Sequence, residues 1–134
     1  MTKMIFVNIP INDVPRSRAF FSGLGYSFNE QFSGEDNLCL VISDSIYVMM
    51  VKPSFLAGFL DKPVGDPKQS VTALISLNFD SAQEVRAHCE KAFELGGRNY
   101  KEPNDLGFMF QWGFEDPDGN IWEAFWMNPE HVQA

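Results

Sequence analysis

The chain has 134 residues, of which 45% are hydrophobic and 21% charged, and it carries a formal charge of −8. That is one domain's worth of chain with enough apolar surface to offset the entropy of ordering, so a disordered segment is excluded. The acidic balance repels phosphate backbones and argues against nucleic acid as a partner, and no run approaches the roughly 20 apolar residues that cross a bilayer.

Taken in chain order, Met4–Ile11 is rich in β-branched and aromatic residues and predicts a strand. Asp13 suits an N-cap for a helix that begins at Val14-Pro15 and stops near Gly23-Leu24-Gly25. Tyr26–Phe32, Leu38–Ser43 and Ile46–Val51 read as three short strands, the last two joined by the Asp44-Ser45 turn. Residues 52–70, punctuated by Pro53, Gly58, Pro63, Gly65 and Pro67, read as a connector with one helical turn around Phe55–Leu60.

The order then repeats. Val71–Phe79 predicts a strand, and Ser81-Ala82-Gln83-Glu84 a capping box opening a second helix. That helix places Val85, Cys89, Ala92 and Phe93 on one face and ends at Leu95-Gly96-Gly97. Arg98–Glu102, Phe108–Glu115 and Asn120–Met127 are three further strands, the last two joined by Asp116-Pro117-Asp118-Gly119. The expected fold is therefore α+β, with two βαβββ modules forming a half-barrel cleft. The boundaries are 1–51 for module 1, 52–70 for the connector, 71–128 for module 2 and 129–134 for a tail.

Two cysteines without a CxxC spacing point to free thiols in a reducing cytoplasm. The N-terminus turns polar too soon for a signal peptide. No Gly-rich phosphate loop and no GxSxG is present.

The combination Val7-Asn8-Ile9-Pro10-Ile11-Asn12-Asp13-Val14, Arg18-Ala19-Phe20-Phe21, Leu24-Gly25-Tyr26, Leu77-Asn78-Phe79-Asp80, Gly96-Gly97 and Phe114–Glu123 resembles the vicinal oxygen chelate superfamily. This superfamily takes in glyoxalase I, extradiol dioxygenases, fosfomycin resistance proteins and bleomycin-binding proteins. Met4–Asn8, Gly107-Phe108-Met109 and Trp122–Met127 are similar to a bacterial branch labelled predicted lactoylglutathione lyase. The resemblance implies metal ligands on the first and last strands of each module. Carried onto this chain, those positions fall on Phe6, near Met49, on Leu74 and on Glu123. Three of the four have no nitrogen or oxygen donor for a divalent metal. The amides of Asn8, Asn78 or Gln111 would be weak substitutes. His88 and His131 are expected on an exposed helix face and in the tail.

Period-two alternation assigns the remainder of the expected cleft: Phe6 and Asn8; Tyr47, Met49 and Val51; Thr72, Leu74, Ser76 and Asn78; Ile121, Glu123 and Phe125; with Met109 and Gln111 beside them. Trp122 and Trp126 then face the helix layer. Three functions follow. The first is a metal-free module, without cofactor, that binds a small apolar or aromatic ligand. The second is a lyase, isomerase or dioxygenase that uses a divalent metal at Glu123, or Glu123 alone as a proton-transfer group. The third is a structural dimer whose cleft is filled by its own side chains. The first is adopted as the expectation, with Glu123 as the candidate catalytic group of any enzyme and a hydrogen bond to Asn8 or Asn78 as its structural alternative. A homodimer is expected from the resemblance.

Overall fold

The computed structural model describes residues 2–131, which fall into two units, 2–70 and 71–131. In the first unit, β1 (Ile5–Pro10) leads into α1 (Val14–Gly23), followed by β2 (Ser27–Phe28), β3 (Asn37–Val41), β4 (Ile46–Val51) and a short α2 (Pro53–Ala57). The sheet order is β1-β4-β3-β2, with β1 and β4 parallel and the other pairs antiparallel. Asp13 caps α1 by accepting from the Arg16 amide, and Pro15 sits in the first turn, where its missing N–H costs nothing. The Leu38–Met50 and Leu40–Val48 pairs cross from β3 to β4. With Val14, Phe20 and Phe21 of α1 they make the buried core of this unit.

The second unit runs β5 (Ile75–Asn78), α3 (Ala82–Glu94), β6 (Asn104–Asp105), β7 (Met109–Glu115) and β8 (Ile121–Met127). Its sheet order, β5-β8-β7-β6, repeats that of the first unit, again with one parallel pair. Val85, Cys89 and Ala92 of α3 are buried, as are Phe110, Phe114, Trp122 and Ala124 of β7 and β8. Two mixed four-stranded sheets, each with its helix, are the α+β pattern the sequence predicts.

Several elements differ from expectation. The run Tyr26–Phe32 is a strand only over β2, because the Asn29 side chain accepts from the Gln31 amide and turns Glu30–Phe32 into a 3₁₀ helix. The strand expected over Val71–Phe79 begins only at Ile75, so Thr72 and Leu74 lie outside it. Between Arg98 and Glu102 only one β-bridge forms, Arg98 with Glu115. Pro103 then has no amide to extend a ladder, and pairing resumes at β6. The capping box is half formed. Ser81 Oγ accepts from the Glu84 amide, but the Glu84 carboxylate reaches the Asp80 amide instead of that of Ser81. His88 is not exposed. It lies between the Phe79 and Phe114 rings, with centroids 4.8 and 5.8 Å away, and burial depresses its pKa to about 4.

Among the described residues no helix is long and apolar enough to cross a membrane. Both cysteines are buried free thiols. Burial, assisted by Glu90, pushes Cys89 up to about 12.

Candidate functional site

In the first unit, the ladder register places the expected residues in cross-strand rows. Phe6 pairs with Tyr47, which pairs with Val41; Asn8 pairs with Met49, which pairs with Cys39. Leu38, Leu40, Val48 and Met50 alternate with these residues and go to the core, so the rows belong to the opposite face. The Phe6 and Tyr47 rings stack at 4.9 Å with an interplanar angle of 11°, a consequence of adjacent strands carrying planar side chains in register. Phe6 and Met49, with Phe32, line an open apolar hollow. Phe32 was missed in the strand pattern because it reaches the hollow from the 3₁₀ helix. Asn8 is exposed, and its amide makes only a long bond to the Phe6 carbonyl, 3.4 Å.

In the second unit, Ser76 of β5 pairs with Glu123 of β8, which pairs with Gly113 of β7. Asn78, Phe125, Gln111 and Asn104 form the next row across all four strands. Met109 pairs with Met127 at the end of β7. The Ser76 hydroxyl donates to Glu123 Oε1 at 2.8 Å. Within this unit the carboxylate's hydrogen-bond partner is therefore its cross-strand neighbour, and Asn78 pairs with Phe125 in the next row. Asn104 Nδ2 donates to Gln111 Oε1 at 3.4 Å. Leu74 is one residue before β5 and 46% exposed, so it does not act as a core residue.

Glu123 is aimed by the turn before it. Asp116 Oδ1 accepts from the amides of Asp118 and Asn120 at 2.9 and 3.0 Å, and its Oδ2 accepts from the Trp122 indole at 3.1 Å. Gly119 completes the turn at φ 95°, a conformation that favours glycine. With Trp122 pinned into the α3-facing layer, alternation turns Glu123 to the other face. Asp116 is nearly fully buried, and burial raises its carboxyl to about 6 in spite of these donors.

A hollow of about 50 Å³ opens beside Glu123, lined by Tyr100, Lys101, Glu102, Asn104, Gln111, Trp112 and Gly113. Three of these, Tyr100, Lys101 and Glu102, lie on the irregular stretch between α3 and β6, where the sequence predicts a strand, and Asn104 opens β6. The signal that points to Tyr100 is Gly113. A glycine inside a strand marks a place where something approaches closely, and here a Cβ would stand 2.6 Å from Tyr100 Oη and 2.8 Å from the Trp122 carbonyl. Burial first, then the negative charge of Glu123, raises the Tyr100 pKa.

The donor set does not fit a divalent metal. Among the described residues, no three His, Cys, Asp or Glu side chains gather into a group that could hold one. Of the four carried-over ligand positions, Glu123 alone is a carboxylate.

Residues 3–43 match the family model described as bleomycin resistance protein-like N-terminal. No curated protein matches the sequence. Among solved structures, a glyoxalase-related enzyme from Fulvimarina pelagi aligns at TM-score 0.79 and 17% identity, over 94% of this chain and 88% of that one. Hypothetical protein SA1046 from S. aureus aligns at TM-score 0.77 and 20% identity, over 93% and 94% of the two chains. Fosfomycin resistance protein FosX from Listeria monocytogenes aligns at 0.68 and 16% identity, over 97% of each. At such identities the likeness speaks for a shared fold.

Proposed function

We propose that this chain, whose fold and N-terminal module support its place in the vicinal oxygen chelate superfamily, binds a small apolar or aromatic molecule without a resident metal. The observation that carries this reading is the identity of Phe6, Met49 and Leu74 at positions where metal-using relatives are expected to supply ligands. Apolar side chains cannot replace imidazole or carboxylate around a hard cation, but they suit an apolar ligand. The hollow of Phe6, Phe32 and Met49 offers that ligand apolar surface, and the stacked Phe6–Tyr47 pair offers a flat one. The second unit has a hollow of its own at Glu123, where a few polar groups can fix the orientation of a molecule bound there.

The competing reading is a metal-dependent lyase, isomerase or dioxygenase of the glyoxalase I or extradiol type. It draws on Glu123, the one carboxylate at a carried-over ligand position. Thermal-shift screening of chelator-treated protein against small aromatic molecules separates the two. The proposed function expects saturable stabilisation in the presence of chelator, weakened by Phe6→Ala if the molecule sits in the first unit's hollow and by Glu123→Ala if it sits in the second's. Stabilisation that requires added divalent metal would overturn it.

A further inference from the structure

We infer that the hollow beside Glu123 in the second unit receives the positively charged nitrogen of an organic monocation, held by Glu123 and Glu102. The inference rests on the binding function proposed above and names the chemistry of the head group that this hollow takes.

Every residue lining the hollow belongs to the second unit, so the head group is recognised there alone. A bound water occupies about 10–15 Å³ of such a volume, so about 50 Å³ has room for a head group of a few heavy atoms. Two of the walls are aromatic and fixed. The Trp112 indole donates to the Lys101 carbonyl at 3.0 Å, and its ring packs edge-to-face on Phe93 with centroids 5.2 Å apart. Tyr100 is held at Gly113, where a Cβ would stand 2.6 Å from its Oη. Aromatic faces attract cations.

Charge then selects among head groups. The lining carries two carboxylates, Glu102 and Glu123, and one ammonium, Lys101, so one further positive charge neutralises it. Among the described residues no ion pair joins Lys101 to either carboxylate. Arg98, the other cation near this stretch, is paired with Glu115. Glu123 has given only Oε1 to Ser76, and Oε2 remains as an acceptor. Its charge is felt inside the hollow, where, after burial, it raises the Tyr100 pKa. Gln111 Oε1 accepts only a long bond from Asn104, 3.4 Å, and adds another acceptor. An ammonium, whose N–H groups are all donors, matches this set. A neutral amide or alcohol leaves the charge uncompensated, and a carboxylate meets two groups of its own sign. The Tyr100 phenol both donates and accepts, so it fits any of these head groups and does not choose between them. The formal charge of −8 on the chain draws cations in the same sense.

Benzylammonium, benzyl alcohol and benzoate are near-isosteric probes with a positive, a neutral and a negative head group. Titrated into the nitrogen-15-labelled full chain at about pH 7, each is read by the Trp112 indole N–H resonance, assigned with Trp112→Phe. Benzylammonium is expected to bind about tenfold more tightly than benzyl alcohol, the worth of one hydrogen bond to a charged group, and benzoate more weakly than either. Lys101→Gln should tighten benzylammonium severalfold by removing the competing charge, and Glu102→Gln should weaken it. Benzyl alcohol should respond to neither. Lys101 and Glu102 are exposed, so both proteins should keep the wild-type melting temperature. Equal or tighter binding of benzyl alcohol or benzoate overturns the assignment, and so does a Lys101→Gln protein that binds benzylammonium no better than wild type. If aromatic probes stabilise the protein in a Phe6-dependent manner but none moves the Trp112 resonance, or if all three move it alike, the cation inference fails and the binding function stands. If no aromatic probe binds at either hollow, both fail.

Discussion

Two buried titrating groups, Asp116 and His88, should pull the acid stability of this protein in opposite directions. Burial raises Asp116 from 3.8 to about 6, so between these values the folded state binds more protons than the unfolded chain. Its contribution is fully present below pH 3.8 and is lost as pH rises through 6. Burial lowers His88 from 6.5 to about 4, so in that window the unfolded chain binds more protons. Its contribution is present above pH 6.5 and is lost as pH falls through 4. Each shift corresponds to about 3 kcal/mol at full development. The two should nearly cancel in the wild-type protein, and single substitutions should uncover them. Asp116→Asn leaves His88 alone, and stability should then rise with pH across this range, by up to about 1.4 kcal/mol per unit. His88→Gln leaves Asp116 alone, and stability should fall as pH rises. Urea unfolding of the three proteins between about pH 4 and pH 7 reads these slopes. A wild-type slope that neither substitution changes would refute the reasoning, as would a His88 resonance titrating near the ordinary imidazole value of 6.5.

Further outcomes follow from packing and association. Leu40→Ala, at a fully buried position, should cost about 2–5 kcal/mol in chemical denaturation, whereas Leu74→Ala at its half-exposed position should cost less than about 1 kcal/mol. Asp116→Ala removes the acceptor that the Trp122 indole and the amides of Asp118 and Asn120 share, and should destabilise by about 2–5 kcal/mol at pH 7 in the same assay. Gly113→Ala should shift the Tyr100 Cζ resonance in a labelled sample, because its Cβ cannot coexist with Oη at 2.6 Å. Light scattering at micromolar concentration should give twice the 15.2 kDa chain mass; a monomer would remove the expected homodimer.

The repeated order of elements was legible because each cue is local. Asp13 and Ser81 are caps whose side chains bond within their own first turn, and Asp116-Pro117-Asp118-Gly119 contains its own turn chemistry. Alternation also put Val48, Phe114 and Trp122 in the buried layer, but Val51, expected on the same face as Tyr47 and Met49, is buried with the core at the end of β4. What escaped depends on long-range competition. The apolar run from Val71 has strand propensity throughout, but its ladder with β8 begins only at Ile75, opposite Trp122. Asn78 was one expected partner of Glu123, but register sets Ser76 beside it and Asn78 opposite Phe125. Tyr100 had no periodic pattern to reveal it. It is placed by an irregular segment, and its only trace in the sequence is the glycine at 113. His88 looked like a polar helix position until Phe79 and Phe114 closed around it.

The central claim is that the site works without a metal, and elemental analysis of purified, dialysed protein tests it most directly. The account predicts substoichiometric Zn, Ni, Mn and Fe, unchanged by Glu123→Ala. About one such metal per chain, lost on Glu123→Ala, would contradict it.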